Sequence, residues 1–475
     1  MSDAVIVGSG PNGLAAALTL ARAGLSVEVF EAADALGGGC GTSELTLPGY
    51  AHDVCSAVHP LAAASPFFRT LEIPLRTPRV AFAHPLDDGE AAAVFGSVAE
   101  TAATLGADER AYRRLVGPLV KRAEKIIPNA LGPVRPWPLP PPAMALFGAY
   151  GVQPASLLAG IFRTPAARAA LAGCAAHSMR PLRAPLTGGF GLVMTILAHQ
   201  VGWPVVEGGS ARIVDVLATE LERFGAQLHT GQEVKSLAEL PAARATLLDI
   251  TPRQLLALDD GRLPSRYRRE LGRYRYGPGI FKLDWALSGP VPWTAQACRE
   301  TATVHVGGTY EEVARSESDV TAGRHSERPF CIVVQPCVAD PSRAPAGHHT
   351  LWAYCHVPSG STVDMTERIE AQIERFAPGF RDLVIARTAT SSTDVEAHNA
   401  NYVGGDIGAG ANTIRQTIFR PTIALRSYRT PVKGLYICSA STPPGGGVHG
   451  MCGARAAGVV LRDLGARGGA GQATG

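Results

Sequence analysis

The chain has 475 residues, too many for one simple core, and 46% hydrophobic against 18% charged residues describes a folded protein with an apolar interior. A formal net charge of +3, with no run of Lys or Arg, argues against a nucleic-acid partner. Nine cysteines without a C-x-x-C or a Cys/His pair at zinc spacing predict reduced thiols and no metal, and the opening lacks an export segment, so the expected location is cytoplasmic.

The first predicted element is an apolar strand from Asp3 to Val7, followed at once by Gly8, Gly10, Pro11, Asn12 and Gly13 and then by an Ala/Leu helix that ends at Gly24. Leu25 to Phe30 reads as a second strand with Glu31 at its end. Strand, glycine turn, helix, strand and acid in this order make a dinucleotide-binding unit: the glycines admit a tight turn and a close pyrophosphate, and the acid meets a ribose hydroxyl. A second glycine cluster, Gly37 to Gly39, follows within a few residues, as nicotinamide binding does not require.

From about Leu71 to Val201 the chain is rich in Ala, Leu and Pro with helical periodicity. Its longest uncharged stretch, Pro185 to Pro204, carries His199, Gln200 and several glycines and is read as a buried or surface helix and not a membrane span. "VEGGSARIVDVLATELERFGAQLHTGQEV" predicts a helix with Ile213, Val216, Leu217 and Leu221 on one face, ended by Gly225, and then a short strand reaching Val234. "ATLLDI" is another strand, and Thr251 and Pro252 open a helix. Gly279 to Arg429 is strand-like, with "IFKLDWAL", "TVHVGG", "FCIVVQPCV" and "HTLWAYCHV", and "TERIEAQIERFAPGF" is an amphipathic helix expected to pack on that sheet. Near the end, Leu435 to Cys438 reads as a buried strand, Gly445 to Gly447 as a loop and Val448 to Leu464 as a helix.

With both glycine-bearing ends in view, the whole length resembles the phytoene desaturase-like FAD-dependent oxidoreductases. "YGPGIFKLDWALSGPVPW", "TVHVGGTYEE" and "NYVGGD" look like the branch containing a mammalian pyridine nucleotide-disulfide oxidoreductase domain-containing protein. The resemblance implies an α/β fold: a Rossmann-type FAD-binding domain of the glutathione reductase/amine oxidase kind with a discontinuous α+β substrate domain. Residues 1–70, 205–260 and 430–466 would form the first, 71–204 and 261–429 the second, and 467–475 a disordered tail. FAD would be held by Gly8, Gly10, Pro11, Asn12, Gly13, Glu31, Gly38, Gly39, Val234 through its backbone, Ser439, Gly447 and Val448. Cys40 stands where the family carries a basic residue.

In such enzymes the flavin carries the chemistry, so few polar catalytic groups are expected. His449 is the first candidate, at the start of the helix that faces the flavin; His59, in a segment that runs along the ring in relatives, is the second. Both also have a structural reading, as a cap and as a buried structural histidine. Lys282 is read as a solvated edge charge not paired with Asp284, and Cys452 as an inert buried thiol and not a flavin attachment point. The expected function is hydride transfer between flavin N5 and an apolar, isoprenoid or polyunsaturated substrate, as a dehydrogenase, desaturase or saturase. Amine or alcohol oxidation, a non-redox flavin isomerase or cyclase, and an FAD-binding regulatory role without turnover remain open. So do a homodimer and peripheral contact with the inner membrane through the cap.

Overall fold

The computed structural model describes residues 2–134, 141–423 and 427–465; the proline run at 135–140 and the tail at 467–475 lie outside them. Ala4–Val7 is apolar at every position because it is the centre of a five-stranded parallel sheet, where both faces are covered. Val27–Phe30 and Gln227–His229 extend the sheet on one side, and Ala245–Leu248 and Leu435–Ile437 on the other. Three separated regions of the chain therefore build one sheet.

Between the first two strands runs the helix Pro11–Arg22, entered through Gly8 at φ 94°, a conformation that a side chain would strain, with Pro11 at its first position. The last helix, Met451–Asp463, lies along it. It begins three residues later than the sequence suggests, because Gly450 at φ 64° is left-handed and stops the helix from starting at Val448.

The second sheet has seven strands in the order Val384–Thr390, Gly279–Leu287, His349–Val357, Cys331–Val334, Thr303–Val306, Val80–Pro85 and Ala91–Phe95. Its pairings are antiparallel except that between Thr303–Val306 and Val80–Pro85. One face carries Phe281, Leu283, Trp285, Val304, Val333 and Ala353, and helix Thr366–Phe376 covers it with Ile369, Ile373 and Phe376. By the two-residue period of a strand, Lys282, Asp284, Trp352, Tyr354 and His356 occupy the opposite face. Ala172, Ala175 and Ala176 of helix Pro165–Ala176 share a buried cluster with Trp352 and Tyr354 there.

Two strands of the cap region correct the sequence reading, which gives helical periodicity throughout 71–201. Val80–Pro85 and Ala91–Phe95 form a hairpin closed by the bond from Leu86 N–H to the Glu90 carbonyl at 2.9 Å. Nearly every residue of both strands is buried, so no polar/apolar alternation marks them, and their alanines suggest helix. The helices of the cap start at Val98. Among the described residues no helix is long and apolar enough to cross a membrane.

Candidate active site

The dinucleotide-binding residues assemble from the first turn outward. Glu31, at the end of Val27–Phe30, accepts hydrogen bonds from Ser9 N–H at 2.8 Å and Ser9 Oγ at 2.6 Å through one oxygen, and from Ala33 N–H at 3.0 Å through the other. The carboxylate thus ties the glycine turn to the neighbouring strand end. Gly37 N–H donates to the Ser9 carbonyl at 3.2 Å, and a β-carbon at Gly38 would sit 3.3 Å from Gly10 Cα, so the two glycine clusters form one surface. Beside them Asn12 Oδ1 is buried with no partner, a free acceptor at the start of the first helix. This closely packed glycine surface fits a dinucleotide.

On the far side the stretch after Leu435–Ile437 closes in. Ser439 is buried, its hydroxyl 2.7 Å from that of Ser441, and Gly447 lies against Leu61 and His449, with Val448 half-buried beside them. Val234 is placed differently from the expectation. The strand is only Gln227–His229, and Val234 follows it in coil, half-buried against Leu237 and Leu240. The sheet ends early there because Gly231 N–H and Gln232 N–H turn back to the carbonyls of Ala33 and Glu31, both at 2.8 Å.

Several residues that shape the cradle escaped the sequence reading. Asp249, at the end of Ala245–Leu248, accepts the Gly13 N–H at 2.8 Å; burial pushes its carboxyl up to about 7. The segment 399–410 straps the two glycine surfaces together. Asn401 accepts from Thr251 N–H at 2.8 Å and donates to the Asp249 carbonyl at 3.3 Å, and the Tyr402 hydroxyl faces Gly39 closely enough to forbid a β-carbon there. Asp406 accepts N–H bonds from Gly277, Gly408 and Gly410 at 2.6, 2.9 and 2.8 Å, and Gly408 abuts Gly446. An acidic residue set among glycines, as in "GGDIGAG", is the signal that could have flagged this strap, because such a carboxylate collects successive backbone N–H groups.

The two histidine candidates differ. His449 Nδ1 accepts Met451 N–H at 3.0 Å and its Nε2 donates to the Gly445 carbonyl at 3.2 Å, so both nitrogens serve the helix start, and burial lowers its pKa to about 4. His59 is 1% exposed and neither nitrogen has a partner; burial lowers its pKa to about 4 as well. Cys452 Sγ points to the carbonyls of Thr442 and Gly445, and burial holds the thiol up near 11.

Lys282 corrects the expectation outright. It is 2% exposed, on a strand between two others, and bonds to Asp284. Residues two apart on a strand share a face, and that makes the pair. Its ammonium lies 6.0 Å from the Trp352 ring centroid. Burial raises Asp284 to about 6 against the pull of Lys282, and His52 Nδ1 stands 3.6 Å from the other Asp284 oxygen. A second buried pair adjoins, Arg343 Nη2 to Asp53 Oδ2 at 2.8 Å, with Ser210 N–H on Asp53 Oδ1 at 2.7 Å. Cys55 and Tyr402, hydrogen-bonded to each other, and His177 are half-buried.

Residues 6–71 match the family model of the NAD(P)-binding Rossmann-like domain. The chain is 26% identical to rat pyridine nucleotide-disulfide oxidoreductase domain-containing protein 2, over 97% of this chain and 94% of that one. It is 25% identical to the neurosporene-forming phytoene desaturase of Rhodobacter capsulatus over 55% of this chain and 54% of that enzyme. The chain is thus similar to oxidoreductases of the phytoene desaturase-like kind, over nearly its whole length in the first case and about half of it in the second. An engineered putrescine oxidase shares the fold at a TM-score of 0.61 and 18% identity, covering 98% of this chain and 99% of that one. The shared fold is a Rossmann-type dinucleotide domain beside a mixed seven-stranded sheet.

Proposed function

We propose that this oxidoreductase binds FAD and transfers hydride between its substrate and flavin N5, acting on an apolar, isoprenoid or polyunsaturated molecule as a dehydrogenase, desaturase or saturase. The observation that carries the reading is the convergence of three stretches on one cradle: the Gly8–Gly13 turn, the Gly37–Gly39 cluster and residues 439–450. Nothing in nicotinamide binding calls for the second and third. In this reading residues 1–70, 205–260 and 430–466 make the FAD domain and 71–204 with 261–429 the substrate domain.

When bound, FAD would supply the two-electron acceptor or donor. Glu31 fixes the turn beside the ribose, Asn12 Oδ1 offers an acceptor, and the start of the first helix favours the pyrophosphate. Tyr402 and Cys55 stand next to Gly39, and the buried Lys282–Asp284 pair places fixed charge on one face of the second sheet. Lys282 favours a second reading, amine or alcohol oxidation, because a buried ammonium on that face suits a polar reacting group better than a hydrocarbon.

The test is direct. Purified protein should be yellow, release FAD on denaturation, and bleach anaerobically with its substrate; a colourless protein that FAD does not reconstitute sinks the proposal, and a yellow protein bleached only by amines or alcohols establishes the second reading.

Peripheral membrane contact is part of the same proposal. Val152, Leu157 and Ile161 are 53, 62 and 41% exposed on the cap, in a stretch poor in charge. Liposomes should pellet the protein, and Leu157→Asp with Ile161→Asp should abolish it.

A further inference from the structure

The chain's 41 Asp and Glu residues leave two stretches empty: residues 125–206 and 407–462 contain none, although they carry thirteen Lys and Arg. The same stretches supply seven of the ten large apolar side chains that are exposed among the described residues. Val152, Leu157 and Ile161 come from the first, and Ile414, Ile418 and Ile423, 48, 40 and 58% exposed, from the second. Ile414 and Ile418 stand one turn apart on the helix Ile414–Ile418, so they share its outer face. The two stretches touch. Leu186 N–H donates to the Val152 carbonyl at 3.2 Å and Ser156 N–H to the Leu182 carbonyl at 3.1 Å, while Asn412 Nδ2 donates to the Ser178 carbonyl at 3.2 Å, so residues 178–186 lie between them. Arg183 and Arg415, one on each side of this join, are exposed and pair with no carboxylate among the described residues.

A surface that meets only water mixes both signs of charge and scatters its apolar side chains. These two stretches do neither. Aliphatic side chains beside unpaired guanidinium groups, with no carboxylate in either stretch, match the layering of a bilayer: the aliphatic groups enter the boundary between headgroups and acyl tails while the arginines stay among the phosphates. Nucleic acid would call for aromatic side chains on which bases stack, and the exposed residues here are aliphatic. We propose that residues 152–161 and 414–423, joined through 178–186, form one face that docks on a bilayer rich in anionic phospholipid. The inference rests on the peripheral contact argued above and adds to it a second contact segment and a lipid class. A negative lipid surface attracts each arginine and repels a carboxylate within about a Debye length, which suits a face without acids.

The probes are vesicles of phosphatidylcholine alone and of phosphatidylcholine with phosphatidylglycerol in equal parts, pelleted with the purified protein at the same lipid concentration. The expected result is at least tenfold tighter binding to the anionic vesicles, a preference that disappears at about 1 M salt. Arg183→Glu with Arg415→Glu should lose the preference, and Ile414→Asp with Ile418→Asp should weaken binding to the anionic vesicles at least tenfold. Equal binding to the two vesicles, or undiminished binding by the folded Ile414→Asp, Ile418→Asp protein, overturns this proposal and leaves the contact through Leu157 and Ile161 standing; no binding to either vesicle sinks both. Retention on a polyglutamate resin without vesicle binding gives the face to an acidic protein and also overturns the proposal. Thermal melts check that the variants fold, and where one does not, the wild-type preference and its salt dependence decide.

Discussion

Gly453 of the last helix rests on the carbonyl oxygen of Asn12 in the first, so closely that a β-carbon at Gly453 would lie 1.8 Å from it. Because the obstruction is backbone, no rotamer change relieves it. Gly453→Ala should force the two helices apart and cost about 3 kcal/mol, the upper end for overpacking. A thermal melt and the flavin-to-protein absorbance ratio check this, with both expected to fall.

Asp249 makes a pH-dependent contribution. Its folded pKa of about 7 lies above the ordinary 3.8, so the folded chain keeps a proton there that the unfolded chain has released. The contribution is fully present below pH 3.8, declines as pH rises and is gone above about pH 7. Asp249→Asn, which still accepts the Gly13 N–H, should flatten this part of the profile and be the more stable protein at pH 8. Melting curves of both proteins from pH 5 to 8 would show their difference growing with pH.

The Lys282–Asp284 pair should behave as a buried ion pair. Lys282→Met leaves Asp284 without its cation and is expected to cost roughly 3–5 kcal/mol. Lys282→Met combined with Asp284→Leu should recover most of that, since removing both charges also removes the desolvation penalty. Denaturant unfolding of the two single variants and the double variant completes the cycle.

His449→Ala should remove a helix-start bond and lower stability by about 1 kcal/mol. The rate of anaerobic flavin bleaching per loaded molecule should not change, because both His449 nitrogens are committed to backbone. His59→Leu removes two unpaired buried nitrogens and should leave stability unchanged or raised, so a fall in bleaching rate in that variant would assign His59 a part in the chemistry.

The parts of the fold legible in the sequence are those whose residues answer to local geometry. Gly8 must turn, Pro11 must open a helix, and Glu31 must end its strand, so the first unit could be read residue by residue. The same local logic fails where burial hides the pattern, as in the alanine-rich Val80–Phe95 hairpin, and where a central strand encloses a charged pair whose burial comes from neighbouring strands, as for Lys282 and Asp284. Asp249, Tyr402 and Asp406 were invisible for another reason. Each acts on a partner far along the chain, as Asp249 does on Gly13, and only the folded strap brings them together.

The contact between the first and last helices sets an order of events during synthesis. The N-terminal turn emerges from the ribosome early and must wait, with its neighbouring strands incomplete, until Met451–Asp463 is made. The dinucleotide turn is therefore braced only after that last helix exists, and a chain interrupted within Met451–Asp463 would keep every residue of the turn while losing the Gly453 contact that seats its helix.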